Sequence, residues 1–432
     1  MKIWLKYLIG CALGICMALL MQGTNESAIK IINCVCEFSL RAGRYALLPF
    51  LFFTMTVAVF ELRIKKSLFK TALLTVCFSV ISTAVLTIIG AISVIIAKPP
   101  RLPIAIEEVS QFYSLDVFEN ILKIVPYSNF DTFLDGKFLL PLLIFAGFAG
   151  AGAASERSGA KPMLTLFDSI ARVSYAVICF FIDMFAVGLV AVSCVWFFSF
   201  KEIIVNESFR FLILLIGVDV LLVVLILYPL VMRLALHEKH PYRIIFASLA
   251  SIITAFFSGD YNLTLGVSLR HARESLGIDT KINSVCMPVF SIFARGGAAL
   301  VMSASFLVIL KSYSDLGIWQ DIPWVLGMAF VISFLLGALP TNSAFIGLAV
   351  MCSFYGSGFE NGYLIIKAAS FFLCSSAALI DVVTSLIGTY FIASQQKMVQ
   401  HKEVTTSIKA ALEHKKNAAA FIIKYPFSKP LP

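Results

Sequence analysis

Inside a bilayer, a chain that leaves the helix strands backbone donors and acceptors. Such breaks persist only where protein, water or a bound solute satisfies them. This sequence makes that departure twice, on one plan. The first apolar segment begins at Tyr242, breaks at Ser258-Gly259-Asp260-Tyr261-Asn262 and leads into a helix holding Arg295. The second begins at Ile322, breaks at Gly337-Ala338-Leu339-Pro340-Thr341-Asn342 and leads into a helix holding Asp381. Broken segments in corresponding positions of two halves point to a solute site between inverted repeats. The one charge embedded in each following helix reads as functional by default.

The rest of the chain supports a membrane setting. Hydrophobic residues make up 59% of the sequence and charged ones only 14%. Long apolar stretches lie at 3–22, 45–60 (extended backwards through 34–44), 68–97, 138–153, 170–200 and 209–236. With the later helices 284–310 and 363–394, this predicts about eight spanning helices plus two re-entrant hairpins in an all-α polytopic membrane protein. No stretch is long and polar enough for a soluble domain, so 1–395 reads as one integrated unit and 396–432 as a solvated tail.

The net charge of +9 could suggest nucleic acid, but its placement argues for a membrane and no nucleic-acid partner. Basic residues cluster in short connections: Arg63, Lys65, Lys66 and Lys70, then Arg157 and Lys161, Lys239 and Arg243, Arg270, Arg273 and Lys281, and Lys397. All fall on one side if both termini are cytoplasmic and both broken segments re-enter, as the positive-inside rule requires. The expected location is therefore a plasma (inner) membrane. Met1–Leu20 reads as a retained first helix rather than a cleaved signal. Most cysteines sit inside apolar helices and behave as small hydrophobes. Cys34-Val35-Cys36 lacks both metal spacing and partner histidines. No nucleophile stands near a base, and no phosphate loop occurs. The expectation is a non-enzyme with no metal and no cofactor.

Several motifs, in order, resemble the dicarboxylate/amino acid:cation symporters, which share the glutamate-transporter fold. Leu122-Lys123-Ile124-Val125-Pro126 is similar to the family's segment before the fourth helix. Thr254-Ala255-Phe256 and Leu263-Thr264-Leu265 resemble its first hairpin, and Leu269-Arg270-His271-Ala272-Arg273-Glu274 with Gly277-Ile278 the exit from it. Met287-Pro288 and Gly296-Gly297-Ala298-Ala299-Leu300 resemble the seventh helix, Gly388-Thr389 the eighth. The resemblance implies a homotrimer working by an elevator mechanism. A scaffold of about 1–67 and 104–208 would hold a transport domain of about 68–103 and 209–395, with the hairpins in 242–283 and 322–356.

The contact positions depart from that family. Where its first hairpin tip carries serines for the substrate carboxylate, this chain has Asp260-Tyr261-Asn262. Where its seventh helix carries Asn-Met-Asp-Gly-Thr, with Asn and Asp helping to bind sodium, this chain has Phe293-Ala294-Arg295-Gly296-Gly297. The eighth-helix aspartate and arginine that hold the substrate fall at Cys374 and Ala377. A further asparagine and a sodium-binding aspartate fall at Asp381 and Ser385. The fold is therefore expected, while glutamate specificity and ordinary sodium coupling are not.

The expected substrate site comprises Asp260, Tyr261, Asn262, Arg295, Pro340, Thr341, Asn342, Asp381 and Ser385. A mid-membrane arginine costs at least about 2.5–3.5 kcal/mol on insertion scales, so it needs an anion or a wet cavity. Asp381 and Asp260 are the candidate partners, and a bidentate Arg295–Asp381 pair is the leading geometry. Three roles follow for Arg295: a built-in cation replacing sodium, a ligand for the solute's carboxylate, or half of a structural pair. The function expected is secondary active transport of a small organic anion, an amino acid or a dicarboxylate. A degenerate, non-transporting or channel-like member of the same fold is the alternative. Asp168 and Arg172 are expected to form a local i,i+4 pair, and His271 to lie at the surface.

Overall fold

The computed structural model describes residues 3–21, 26–103, 126, 128, 130–134, 139–156, 158–205, 207–313, 320–335, 337, 343–356 and 358–399. Pro340, Thr341, Asn342, nearly all of 104–129 and the tail beyond Val399 lie outside the described residues. The described residues are helical, with one isolated antiparallel bridge between Ile278 and Val399.

Apart from a single turn at Asp131–Leu134, the helices are α1 (Ile3–Met21), α2 (Glu26–Tyr45), α3 (Leu47–Ile64), α4 (Leu68–Ala97), α5 (Leu139–Ser155) and α6 (Lys161–Val205). Then come α7 (Glu207–Leu222), a π turn at Val223–Leu227, α8 (Tyr228–Ala235), α9 (Pro241–Ala247), α10 (Leu249–Ser258) and α11 (Tyr261–Glu274). The rest are α12 (Thr280–Phe293), α13 (Gly296–Tyr313), α14 (Ile322–Leu335), α15 (Ser343–Tyr355), a 3₁₀ segment Gly362–Ala369 and α16 (Ser370–Gln395). Seven of the eight expected spans are long and apolar enough to cross a membrane, while α5 has only 17 residues. The sequence reading also places one break too few in the first segment, because α9 and α10 bend by 53° at Ser248.

α4 shows how a membrane helix inverts the soluble pattern. Its inward stripe is Thr71, Thr75, Ser79, Thr83, Thr87 and Gly90, while Phe69, Leu73, Val76, Ile81 and Ile88 point out. All the inward hydroxyls but that of Thr83 turn back on the chain four residues earlier, as Thr75 does to the Thr71 carbonyl (2.8 Å) and Thr87 to the Thr83 carbonyl (2.7 Å). Small residues there let α13 approach closely, and Ser303 on α13 donates to the Thr87 carbonyl at 3.1 Å. Lys98, left-handed at φ 46°, and the prolines after it end α4.

Packing falls into two groups. α6 packs along α1, α2 and α3, and α3 also packs on α5. α13 and α16 form the buried centre of the second group, surrounded by α4, α10, α12, α14 and α15. The groups meet mainly where α12 lies on α3 and where α10 and α11 lie on α1, α2 and α6.

Candidate functional site

Two interruptions of the helical backbone meet at α16. The first is the turn between α10 and α11, which pack on each other as a hairpin. Gly259 ends α10 at φ 61°, a left-handed conformation that glycine adopts without strain. Asp260 is extended and caps α11, its Oδ1 accepting from the Asn262 N–H (2.9 Å) and the Leu263 N–H (3.3 Å).

The second interruption is Ala294-Arg295, between α12 and α13. Pro288 already removes a backbone donor inside α12. Ala294 then leaves the helical conformation at φ −90°, ψ 63°, and the helix restarts with the Arg295 carbonyl accepting from the Ala299 N–H (3.0 Å). The buried N-terminus of α13 is capped from another helix: Asp381 Oδ1 accepts from the Gly297 N–H at 2.6 Å. Glycine is required at 297, because a Cβ there would stand 2.4 Å from the Ala377 carbonyl oxygen and 2.7 Å from Ile380 Cβ. Such an approach brings a carboxylate to the positive end of a helix dipole.

Tyr261, the first residue of α11, joins the two interruptions. Its hydroxyl donates to Ser385 Oγ, and its ring lies beneath the Arg295 guanidinium, 5.2 Å from the ring centroid. Ser385 donates in turn to the Asp381 carbonyl at 2.7 Å. Beside them, the Tyr228 hydroxyl is hydrogen-bonded to Thr384. Tyr261, Arg295, Asp381 and Ser385 are all buried. Among the described residues, two atoms in this group have no hydrogen-bond partner: Arg295 Nε and Asp381 Oδ2.

The structure therefore gathers Tyr261, Arg295, Asp381 and Ser385 into one place. It corrects the pairing expected among them. No ion pair joins Arg295 to Asp381, although each feels the other's charge. The backbone N–H of Gly297 occupies Asp381 Oδ1, and the guanidinium settles on the Tyr261 ring instead. Asp260 is not a partner of Arg295 either: it forms an ion pair with Arg44 of α2. Asn262 is buried in the first turn of α11. Pro340, Thr341 and Asn342 lie outside the described residues, but Gly337 is placed against this region, since a Cβ there would stand 2.4 Å from the Ile292 carbonyl oxygen.

Outside the site, Asp168 and Arg172 form their i,i+4 pair at 2.8 Å. His271 is buried rather than on the surface, with Nδ1 hydrogen-bonded to Ser275 Oγ at 3.2 Å. Sequence reading missed Arg44, Tyr228 and Trp196, whose Nε1 donates to Ser375 Oγ at 3.1 Å. Of these, only Arg44 carried a signal, as a charge within a stretch read as part of a span. A family model described as the sodium:dicarboxylate symporter family matches residues 3–395. No curated protein matches the chain.

Proposed function

Because the chain belongs to the sodium:dicarboxylate symporter family, we propose that it is a secondary transporter of a small organic anion, an amino acid or a dicarboxylate. In this reading α10–α11 and α14–α15 are re-entrant hairpins. Together with α4, α7, α8, α12, α13 and α16 they move as one body in an elevator step. The scaffold comprises α1–α3, α5 and α6, within a homotrimer in the plasma (inner) membrane whose termini are cytoplasmic. The division of packing into two groups supports the two bodies, and the trimer rests on the resemblance.

One observation carries the site. A hairpin turn, a broken helix and an intramembrane acid converge, and there Arg295 Nε and Asp381 Oδ2 have no hydrogen-bond partner among the described residues. A buried donor and a buried acceptor of opposite charge can together engage a carboxylate and a positive or donor group of a solute. Arg295 stands where the resemblance places a sodium-binding aspartate, so we take its fixed charge to replace the bound cation. The expected result is uptake into proteoliposomes that does not depend on a sodium gradient. Strong sodium-driven glutamate uptake would overturn this assignment. Sodium-dependent thermal stabilisation gained by Arg295→Asp would support it.

A second reading, a degenerate member that no longer cycles solute, is favoured by one observation. Tyr261 with Ser385, and Gly297 with Asp381, already engage one another. Absence of both uptake and exchange for every solute in the panel would select it.

A further inference from the structure

We propose that Arg44 and Asp260 form a latch that ties the tip of the first hairpin to α2 and must open before the hairpin can move. The movement rests on the transport reading above; the latch itself is read from the contacts.

Several polar contacts cross the seam between α11 and the α2–α6 group. At the far end of α11, Tyr175 donates to Glu274 at 2.9 Å and Arg270 Nη1 donates to the Cys179 carbonyl at 3.2 Å. Arg270 also lies 3.5 Å from Asp183, and the Arg273 guanidinium stands 4.7 Å from the Tyr175 ring centroid. At that end Arg270 is 13% exposed, but the acids it meets, Asp183 and Glu274, have side chains 44% and 46% exposed, so water reaches the acid of each pair. Exposed pairs of that kind are screened and contribute little.

The near end differs. The Asp260 side chain is 3% exposed and that of Arg44 31%. Removing one member of such a pair leaves a charge stranded in an apolar setting, which is the expensive case. The backbone around it is also closely seated. A Cβ at Gly43 would stand 2.3 Å from Leu263 Cδ1, so α2 and the first turn of α11 are in direct contact next to the pair. Asp260 thus has two separable duties. One oxygen caps α11, the helix that begins with Tyr261, and the carboxylate charge engages Arg44 on a different packing group.

These duties separate by substitution. Asparagine caps a helix about as well as aspartate, so Asp260→Asn keeps the cap and loses the charge. Arg44→Gln leaves the cap untouched. The test is hydrogen–deuterium exchange of the full chain in lipid nanodiscs, which needs no knowledge of the solute. Both variants are expected to speed exchange of the segment around Gly259 and Asp260 by at least about tenfold. Arg44→Lys should preserve most of the protection. The double variant should exchange no faster than either single one, because both remove the same interaction. Unchanged exchange at the tip, or effects that add in the double variant, would overturn the latch. Faster exchange throughout α13 and α16 would also overturn it, by showing a general folding role. Proteoliposome uptake judges the transport reading separately, so the two can fail independently.

Discussion

Asp260 and Asp381 each cap the N-terminus of a helix at a break, but they reach it by different routes. Asp260 caps the helix that follows it directly, and its charge is met by Arg44 from another packing group. Asp381 crosses from α16 to cap α13 at a residue 84 positions away, and its second oxygen has no hydrogen-bond partner among the described residues. The local cap completes a turn. The remote cap holds two central helices together and leaves hydrogen-bonding capacity beside a buried arginine. One break therefore has its acid in an ion pair, while at the other no ion pair joins the acid to the arginine beside it; in both, the acid's second oxygen has no hydrogen-bond partner among the described residues.

The strongest way to break this contrast is at Asp381. Asp381→Ala orphans the buried Gly297 N–H, which donates to its carboxylate in the wild type. We expect a loss of about 3 kcal/mol, the upper end for a buried donor left unsatisfied, read as a large drop in melting temperature. Asp381→Asn keeps the acceptor but not the charge and should fall between that variant and the wild type. Next is Gly297→Ala, whose methyl group would press α13 away from the Ala377 carbonyl. Overpacking of this kind costs about 1–3 kcal/mol, and the same melting assay would detect it. An unshifted melting temperature would mean that α13 and α16 are not held as closely as the contact requires.

The legible and illegible parts of this molecule differ in sequence range. Gly259 followed by Asp260 announces a helix end and a new cap within three residues, and the turn forms there. The interruption at Ala294-Arg295 is less legible: Pro288, Gly296 and Gly297 flank it, yet 284–310 reads as one apolar helix. The Ser248 bend carries no comparable breaker, so the sequence there reads as continuous helix. α6 extends back to Lys161 because no breaker interrupts the polar first turns and Arg172 pairs with Asp168 there. Long-range choices were less visible. Opposite charge suggested that Arg295 would grip Asp381, but charge alone did not reveal that a backbone N–H would take that carboxylate oxygen. Arg44 is one of several charges on the amphipathic α2, with Glu37 and Arg41 nearby, and nothing local singles it out. Its partner lies in a turn more than two hundred residues later.

Smaller effects sharpen the same comparison. Tyr261→Phe keeps the ring beneath Arg295 and removes only the hydroxyl on Ser385. Ser385 still donates to the Asp381 carbonyl, so no donor is orphaned. The expected loss is about 1 kcal/mol, the net worth of one hydrogen bond. A much larger loss would mean that the hydroxyl also orders the α13 break, which would make the two interruptions one cooperative unit.

The last comparison is between two substitutions at one position. Asp260→Asn removes the ion pair and keeps the cap, whereas Asp260→Ala removes both. The difference between their melting free energies isolates the cap, expected at about 1 kcal/mol. If the two variants are equally stable, the cap contributes nothing and α11 is held by packing and Arg44 alone. If alanine is the worse by that amount, the two duties of Asp260 are separable. The break at Asp260 then has a local part and a long-range part, whereas at Asp381 a single oxygen performs a cap that is itself the long-range contact.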